Sequence, residues 1–495
     1  MRGSPTERQS PPNNAGMGTE ISKEIRTDVL IIGAGMSGLA AGIRLAHFGK
    51  KVLLVDRHYS VGGLNGFYTI DGRGYDVGLH AMTNFVPAGT KNAPLTKLLR
   101  QLRIRYDELD LCPQRESAIH AFGNKLRFSN DFSLLESEIA RTFPQEINGF
   151  RKLDDFLKNF DETALDAKDS SARECVGRFL SSPELIDSLF IPLSFYGSSL
   201  PGDMALPQFA IMWRSIFREG FARPHIGVRQ ILRLLNKKFA ESGGIRKLRC
   251  GVKKIHVENG RAVSAELDDG TQVFADKILS SAGSTETLRL CSHIPADFGA
   301  DNIGQLAFCE TISVLDASPE QDFGWNETII FFNDADRFNY RTPPGLIDPR
   351  SGVICIPNNY SWSNPARAPQ EGCLRVTCLA NYAQWKSLRQ TGEDAYAQAK
   401  ELAYEKLFDT ALSHLPSVSE DKIRAKLIAR DMFTPLTVER FSGKLGGAIY
   451  GATRKTRTGT TDVENLFLCG TDQGFLGITG AMLSGISMAN LHGLS

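Results

Sequence analysis

"TDVLIIGAGMSGLAAGIRLAHFGKKVLLVD", from Thr27 to Asp56, decides the fold. Its apolar run "TDVLII" predicts a strand, the glycines after it a tight turn, and "SGLAAGIRLAHFG", closing on Gly49, has helical periodicity. "KVLLVD" predicts a second strand, so the stretch reads as one strand, helix, strand unit of an α/β fold. Gly33, Gly35 and Gly38 fit the pattern G-x-G-x-x-G, with Met36 and Ser37 between the last two. The first glycine permits the turn, the second lets backbone approach a pyrophosphate, and the third lets helix pack on strand. The phosphates would sit at the helix N-terminus, where unpaired N–H groups and the helix dipole favour negative charge. Asp56, about 20 residues further on, is placed to take ribose hydroxyls. A glycine turn without a ligand is the bland alternative, and the full context favours a dinucleotide.

Bulk properties remove other classes. The 495 residues suffice for two or three cores, and 42% apolar with 23% charged residues is an ordinary globular composition. A net charge of +1 gives no field for steering nucleic acid, so neither DNA nor RNA is expected as a partner. Nine cysteines without Cys-x-x-Cys pairs give little support to disulfides or zinc, predict no metal site and fit a reducing cytosol. Residues 1–24, rich in Pro, Gly, Ser and Asn, read as a disordered leader and not a secretory signal. No window offers the roughly 20 apolar residues of a membrane span, which leaves a cytoplasmic protein or one peripheral on a membrane surface.

Outward from the opening unit, 25–94 is expected to form the first part of a dinucleotide domain. The segment 95–225 reads as a helical insertion, since "PLTKLLRQL", "FSLLESEIARTF", "INGFRKLDDFLKNF" and "LPQFAIMWRSIF" space apolar residues three and four apart. In 226–290 the helix "VRQILRLLNKKFAESGG" precedes a period-two stretch, "KKIHVENGRAVSAELDDGTQVFADKILSSAG". Asn259-Gly260 and Asp269-Gly270 supply the turns of a three-stranded meander that leads back to the first sheet. Strand-like pieces and one long helix make 291–435 a substrate-facing sheet. The last part, 436–495, holds a second glycine-rich segment, "LFLCGTDQGFLGITGAM" from Leu466 to Met482, read as strand, turn and helix.

"RHYSVGGLNG" with Gly62-Gly63, and "GRGYDVGLHAM" after it, resemble the second half of the two-dinucleotide signature in the amine oxidase and phytoene desaturase superfamily of flavoproteins. The end, "TPLTVERFSGKLGGAIYGA" followed by "TDVENLFLCGTDQGFLGITGAMLSGISMAN", resembles the C-terminal signature of bacterial carotenoid desaturases, carotenoid isomerases and retinol saturases. The resemblance implies a Rossmann-type FAD-binding domain with a mixed sheet, interleaved with a helical and antiparallel-sheet substrate domain. It implies FAD contacts at Arg57, Gly62, Gly63, Leu64, Gly78, His80, Val252, Gly283, Gly470, Thr471, Asp472, Gly477, Ile478 and Thr479, with Asp472 bonded to the ribityl chain. Three positions depart from the family pattern. Asp56 replaces the commoner Glu, "RPHIG" (Arg223 to Gly227) stands where many members have Pro-x-Gly-Gly, and Leu64 replaces a basic residue after the Gly-Gly pair.

The implied activity is desaturation of a long apolar isoprenoid or carotenoid by hydride transfer from an allylic C–H to flavin N5, with oxygen or a quinone as electron acceptor. A redox-neutral isomerase and a saturase are alternatives; an amine oxidase and a non-enzymatic polyene carrier are weaker ones. His80 is the candidate acid–base residue, against a merely satisfied histidine. His225 reads better as a surface histidine, and Asp472 could instead cap a helix after its own strand. "LFIPLSFYGSSLPGDMALPQFAIMWRSIF", from Leu189, reads first as core, then as a substrate tunnel, or as a bilayer-facing surface with Arg214, Arg218, Arg223 and Arg229 on lipid phosphates.

Overall fold

β-branched and leucine-rich runs bounded by glycine pair into a seven-stranded sheet in the order Val252–Glu258, Arg261–Leu267, Gln272–Ser280, Glu24–Ile32, Val52–Asp56 and Ile245–Leu248, with Leu466–Leu468 also on Gln272–Ser280. This computed structural model describes residues 23–495 apart from 163, 165–169, 296 and 363. The leader therefore lies outside the described residues up to 22, and Glu24 already opens the first strand, opposite Gln272. Glu24–Ile32 is parallel to both neighbours, and Leu466–Leu468 joins parallel to Ile278–Ser280. Strands flanked on both sides and covered on both faces need no polar alternation, hence "VLII" and "VLLV". The meander forms as expected, with Asn259 (φ 50°) and Gly260 (φ 78°) making its first turn.

Helix Met36–His47 packs on this sheet and is itself covered by Val228–Glu241 and Gly477–Met488. The three come from widely separated parts of the sequence and share one apolar core around Leu39, Ile43, Leu235 and Met482. The contact between the first and last helices is close because Gly485 has no side chain; a methyl there would collide with the Ser37 carbonyl.

A second seven-stranded sheet runs Leu427–Phe433, Ala307–Leu315, Gly372–Ala380, Ile347–Cys355, Ile329–Asn333, Ser117–Ala121 and Asn124–Phe128. It is antiparallel except where Ile329–Asn333 meets Ser117–Ala121. The last two strands correct the reading of 95–225 as helical. "SAIHAFGNKLRF" is a hairpin turning at Phe122-Gly123, and it extends the substrate-facing sheet. In "KIRAKLIARDMF" the first residues end the short helix Glu420–Arg424, and the strand begins at Leu427.

The stretch from Leu189 is core. Phe190, Phe209, Met212, Trp213, Ile216 and Phe217 are all buried beneath the second sheet. The arginines of the bilayer-facing alternative pair with carboxylates of the chain itself: Arg214 with Glu162, Arg218 with Asp154 and Arg223 with Asp76. Arg229 lies against Gly74 and over the Phe67 ring. No helix among the described residues is long and apolar enough to cross a membrane.

Candidate functional site

The first glycine turn does what its spacing requires. Gly33 has φ 102°, which only glycine adopts without strain, and its N–H donates to Val55 O at 2.8 Å. A methyl on Gly38 would collide with the Gly33 carbonyl, so the helix can start against the turn only with glycine there. Gly35 forms a bridge with Gly62, whose N–H donates to Ala34 O at 2.9 Å, and Gly63 lies beside it. A methyl added at Gly35 would lie in ordinary contact with the Gly62 carbonyl, 3.9 Å away, and Gly63.

Asp56 accepts from the Ala34 N–H at 2.7 Å through one oxygen and from the His58 N–H at 2.7 Å through the other. Each oxygen keeps a lone pair for a ribose hydroxyl. The shorter aspartate reaches far enough because the turn comes to meet it. The Cys250 N–H donates to the Asp56 carbonyl at 3.0 Å, bringing Val252, the start of the meander, to this end. Arg57 is exposed and reaches the carbonyls of Glu439 and Arg440 at 3.3 and 3.4 Å.

The C-terminal segment closes on the same turn. Gly470 packs against Ser37, its N–H donating to Ser484 Oγ at 2.7 Å. Asp472, 2% exposed, accepts from the Ser284 N–H at 2.6 Å and the Ala452 N–H at 2.9 Å. It does not cap the helix after its own strand. It accepts instead from the first N–H of the short helix Ser284–Leu288, whose N-cap is Gly283, and so ties the C-terminal segment to the end of the meander. Burial alone would raise the Asp472 carboxyl, but Lys444 and Lys455, at 3.9 and 3.7 Å, overcome this and hold it down at about 2. Lys455 responds in the opposite sense: burial pushes its ammonium down to about 8.

Between these ends runs the Gly78–Thr83 segment. Gly78 sits against the Leu64 carbonyl, and Thr83 meets Gly477 and accepts at its carbonyl from Thr479 Oγ1 at 3.3 Å. His80, in the middle, is buried. Its Nε2 lies 3.3 Å from Glu310 Oε1 and 3.1 Å from Thr377 Oγ1, and its carbonyl accepts from Tyr360 Oη at 2.8 Å. Glu310 and Arg375 lie diagonally on neighbouring strands of the second sheet, as Glu310 opposes Thr377 and Arg375 opposes Ile312. Arg375 Nε donates to Glu310 at 2.5 Å, and its other nitrogens donate to Leu79 O at 2.8 Å and Asp76 O at 3.0 Å. Arg223 adds a bond to Leu79 O at 2.7 Å and pairs with Asp76. Two arginines therefore clamp the "DVGLH" backbone onto the second sheet. Burial would raise Glu310, yet Arg375 holds it below the usual carboxylate range. Burial lowers His80 against the pull of Glu310, leaving a neutral imidazole beside a charged carboxylate.

The structure thus brings together the glycines, Ser37, Asp56, Leu64, Gly78, Thr471, Asp472 and Thr479 in one basin, with His80 at its edge. Met36 and Ile478 point into the helix core instead and offer only backbone. His225 is on the surface, its Nε2 2.7 Å from Arg367 O and its ring edge-on to Trp362. At "RPHIG", Gly227 (φ 69°) replaces a glycine pair by itself, because a methyl there would collide with Asp76. Sequence reasoning missed Glu310, Arg375, Lys444 and Lys455. The available signal was a lone arginine inside the apolar strand "CLRVTCLA".

The basin fits FAD: bare backbone where phosphates approach, a carboxylate at each end, and the buried Lys444 Nζ without a hydrogen-bond partner among the described residues. Residues 36–491 match the model of the flavin containing amine oxidoreductase family, and the chain belongs to that family. It is an FAD-dependent oxidoreductase. The chain is 24% identical to the chloroplastic prolycopene isomerase of Daucus carota, over 94% of this chain and 79% of that protein. It is 25% identical to the 4,4'-diaponeurosporene oxygenase of Staphylococcus haemolyticus, over 89% of this chain and 92% of that one. Among solved structures an oxidoreductase from Methanosarcina mazei superposes with a TM-score of 0.64 at 17% identity, covering 94% of this chain and all of that one, a likeness of fold.

Proposed function

We propose that the protein desaturates a long apolar isoprenoid or carotenoid chain. The observation that carries this is the neutral, buried His80 between Glu310 and Thr377, beside a cluster of aromatic rings. The Tyr196 ring lies 6.3 Å from the His80 ring and packs on Phe221 at 5.3 Å and Phe331 at 5.2 Å. Apolar aromatic surroundings suit a polyene better than a polar substrate, and similarity to proteins named for carotenoids points the same way. When bound, FAD supplies a hydride acceptor. The chain's own part is to hold the substrate, exclude water and receive one proton. His80 receives it at an imidazole nitrogen, and Glu310, kept ionised by Arg375, stabilises the imidazolium that forms. Asp56 and Asp472 would hold the cofactor's ribose and ribityl hydroxyls, and the bare glycine backbone would meet its phosphates.

Redox-neutral cis–trans isomerisation is the second reading, favoured by the match to a prolycopene isomerase across most of both chains. Anaerobic mixing of the yellow holoenzyme with C30 and C40 polyene precursors separates the two. Desaturation bleaches the flavin and gives a product two hydrogens lighter with absorption at longer wavelength. Isomerisation needs prior flavin reduction and leaves the mass unchanged. A flavin that stays oxidised with every precursor, and no isomer formed after reduction, would overturn both. In the desaturase, His80→Gln is expected to slow anaerobic bleaching by about a hundredfold or more while FAD stays bound; an unchanged rate removes His80 from proton transfer.

A further inference from the structure

A cofactor bound through the two glycine turns brings two phosphate charges, and the Gly-Gly loop has Leu64 where relatives carry a basic residue. Cations stand elsewhere, one beside Asp56 and two beside Asp472. Arg57 follows Asp56 directly and lies against Gly443; Lys444 follows Gly443; Lys455 stands beside Asp472. Lys444 is the unexplained one. Its side chain is 6% exposed, and its Nζ makes no hydrogen bond among the described residues although Asp472 lies 3.9 Å away. A buried ammonium with three unused donors is costly unless a partner arrives. The groups facing it are Asp472, already held by two backbone N–H groups and 3.7 Å from Lys455, and Glu286, whose Oε1 accepts from the Leu445 N–H at 3.0 Å across Gly283. Gly283, at φ 121°, leaves bare backbone where any side chain would strike Lys444 Nζ.

We propose that Lys444, with Lys455 beside it, is the cation that holds the cofactor's pyrophosphate, replacing the basic residue missing after Gly63. The loop Ser442 to Gly447 therefore acts as a phosphate clamp supplied from the C-terminal third of the chain. A charge-assisted bond to phosphate predicts a specific loss when the charge is removed.

The test reads cofactor binding alone, so it is independent of which polyene reaction the enzyme performs. FAD released from diluted holoenzyme is followed by recovered flavin fluorescence, with ADP and riboflavin as competitors. In Lys444→Met the dissociation constant for FAD is expected to rise about tenfold or more. Riboflavin, which lacks phosphate, should become a correspondingly better competitor relative to FAD, whereas ADP should not. Leu64→Arg in the Lys444→Met background should restore FAD retention, and Lys444→Arg should largely keep it. An unchanged FAD constant in Lys444→Met, or equal loss of FAD and riboflavin, overturns the proposal. Should Lys444→Met fail to fold, the wild-type holoenzyme still decides. Added salt must weaken FAD more steeply than riboflavin, and equal salt dependence overturns it.

Discussion

The glycine basin and the His80 junction are built by opposite means. In the basin, function rests on what is absent: side chains missing at Gly33, Gly35 and Gly38 let backbone amides and a helix start face the ligand. At the junction it rests on charged side chains from three distant segments, Asp76 to His80, Glu310 and Arg375, locked together out of water. The first kind of site tolerates no added atom at Gly33 or Gly38; the second tolerates no lost charge. Substitutions that add an atom in one and remove a charge in the other test this contrast.

The largest effect is expected at Gly38. Gly38→Val places its Cβ in collision with the Gly33 carbonyl, and neither the turn nor the helix can yield, since Met36–His47 is wedged between sheet and two helices. The variant should purify without flavin, or not fold, as read by flavin absorbance per mole of protein and by thermal melting. Stoichiometric flavin with an unchanged melt would show that the turn is softer than described.

Next comes the junction. Arg375→Met leaves Glu310 as an uncompensated buried carboxylate, a loss of about 3–5 kcal/mol in denaturant unfolding. The double variant Glu310→Gln, Arg375→Met should recover much of that loss, because desolvation of a pair is offset by removing both charges together. If the double variant is no better than the single, the arginine acts mainly through its bonds to the Leu79 and Asp76 carbonyls, and the junction is a backbone clamp rather than a charge pair.

The same contrast explains what the sequence made legible. A site made of glycines at fixed spacing is local, so strand, turn, helix and Asp56 could be read from one window, and the C-terminal segment from another. The strand alternation in "CLRVTCLA" puts Cys373, Arg375 and Thr377 on one face. By itself that face reads as one open to water; it is buried because the hairpin Phe67–Asp76 folds over it, placing Tyr75 against Ile312 and Val314. No local pattern carries that covering contact. The hairpin Ser117 to Phe128 escaped for a related reason: short strands of mixed polarity between helices acquire their sheet only by pairing with Ile329–Asn333. Lys444 looked like an ordinary loop cation, and only its burial against Gly283 and Asp472 distinguishes it.

The smallest effect separates the two regions by acid. His80 is lowered from 6.5 by burial, so the unfolded chain takes up its proton first as pH falls. The junction's contribution is complete above about 6.5 and declines below it. Asp472 is lowered from 3.8 to about 2, so its contribution is complete above 3.8 and is lost only as pH falls toward 2. That second loss is worth about 2 kcal/mol, from a shift of nearly two units in a buried group. Urea midpoints measured from pH 7 to pH 2 should therefore fall in two stages. His80→Gln should reduce the decline that begins below 6.5, leaving the share of His47, His120 and His492, which burial also lowers, and should leave the later stage in place. Asp472→Asn should flatten the stage below 3.8 while lowering stability at neutral pH, because Lys444 and Lys455 lose their counter-charge. A single decline abolished equally by both substitutions would mean that basin and junction titrate as one unit, and the division between a backbone-built and a charge-built site would fail.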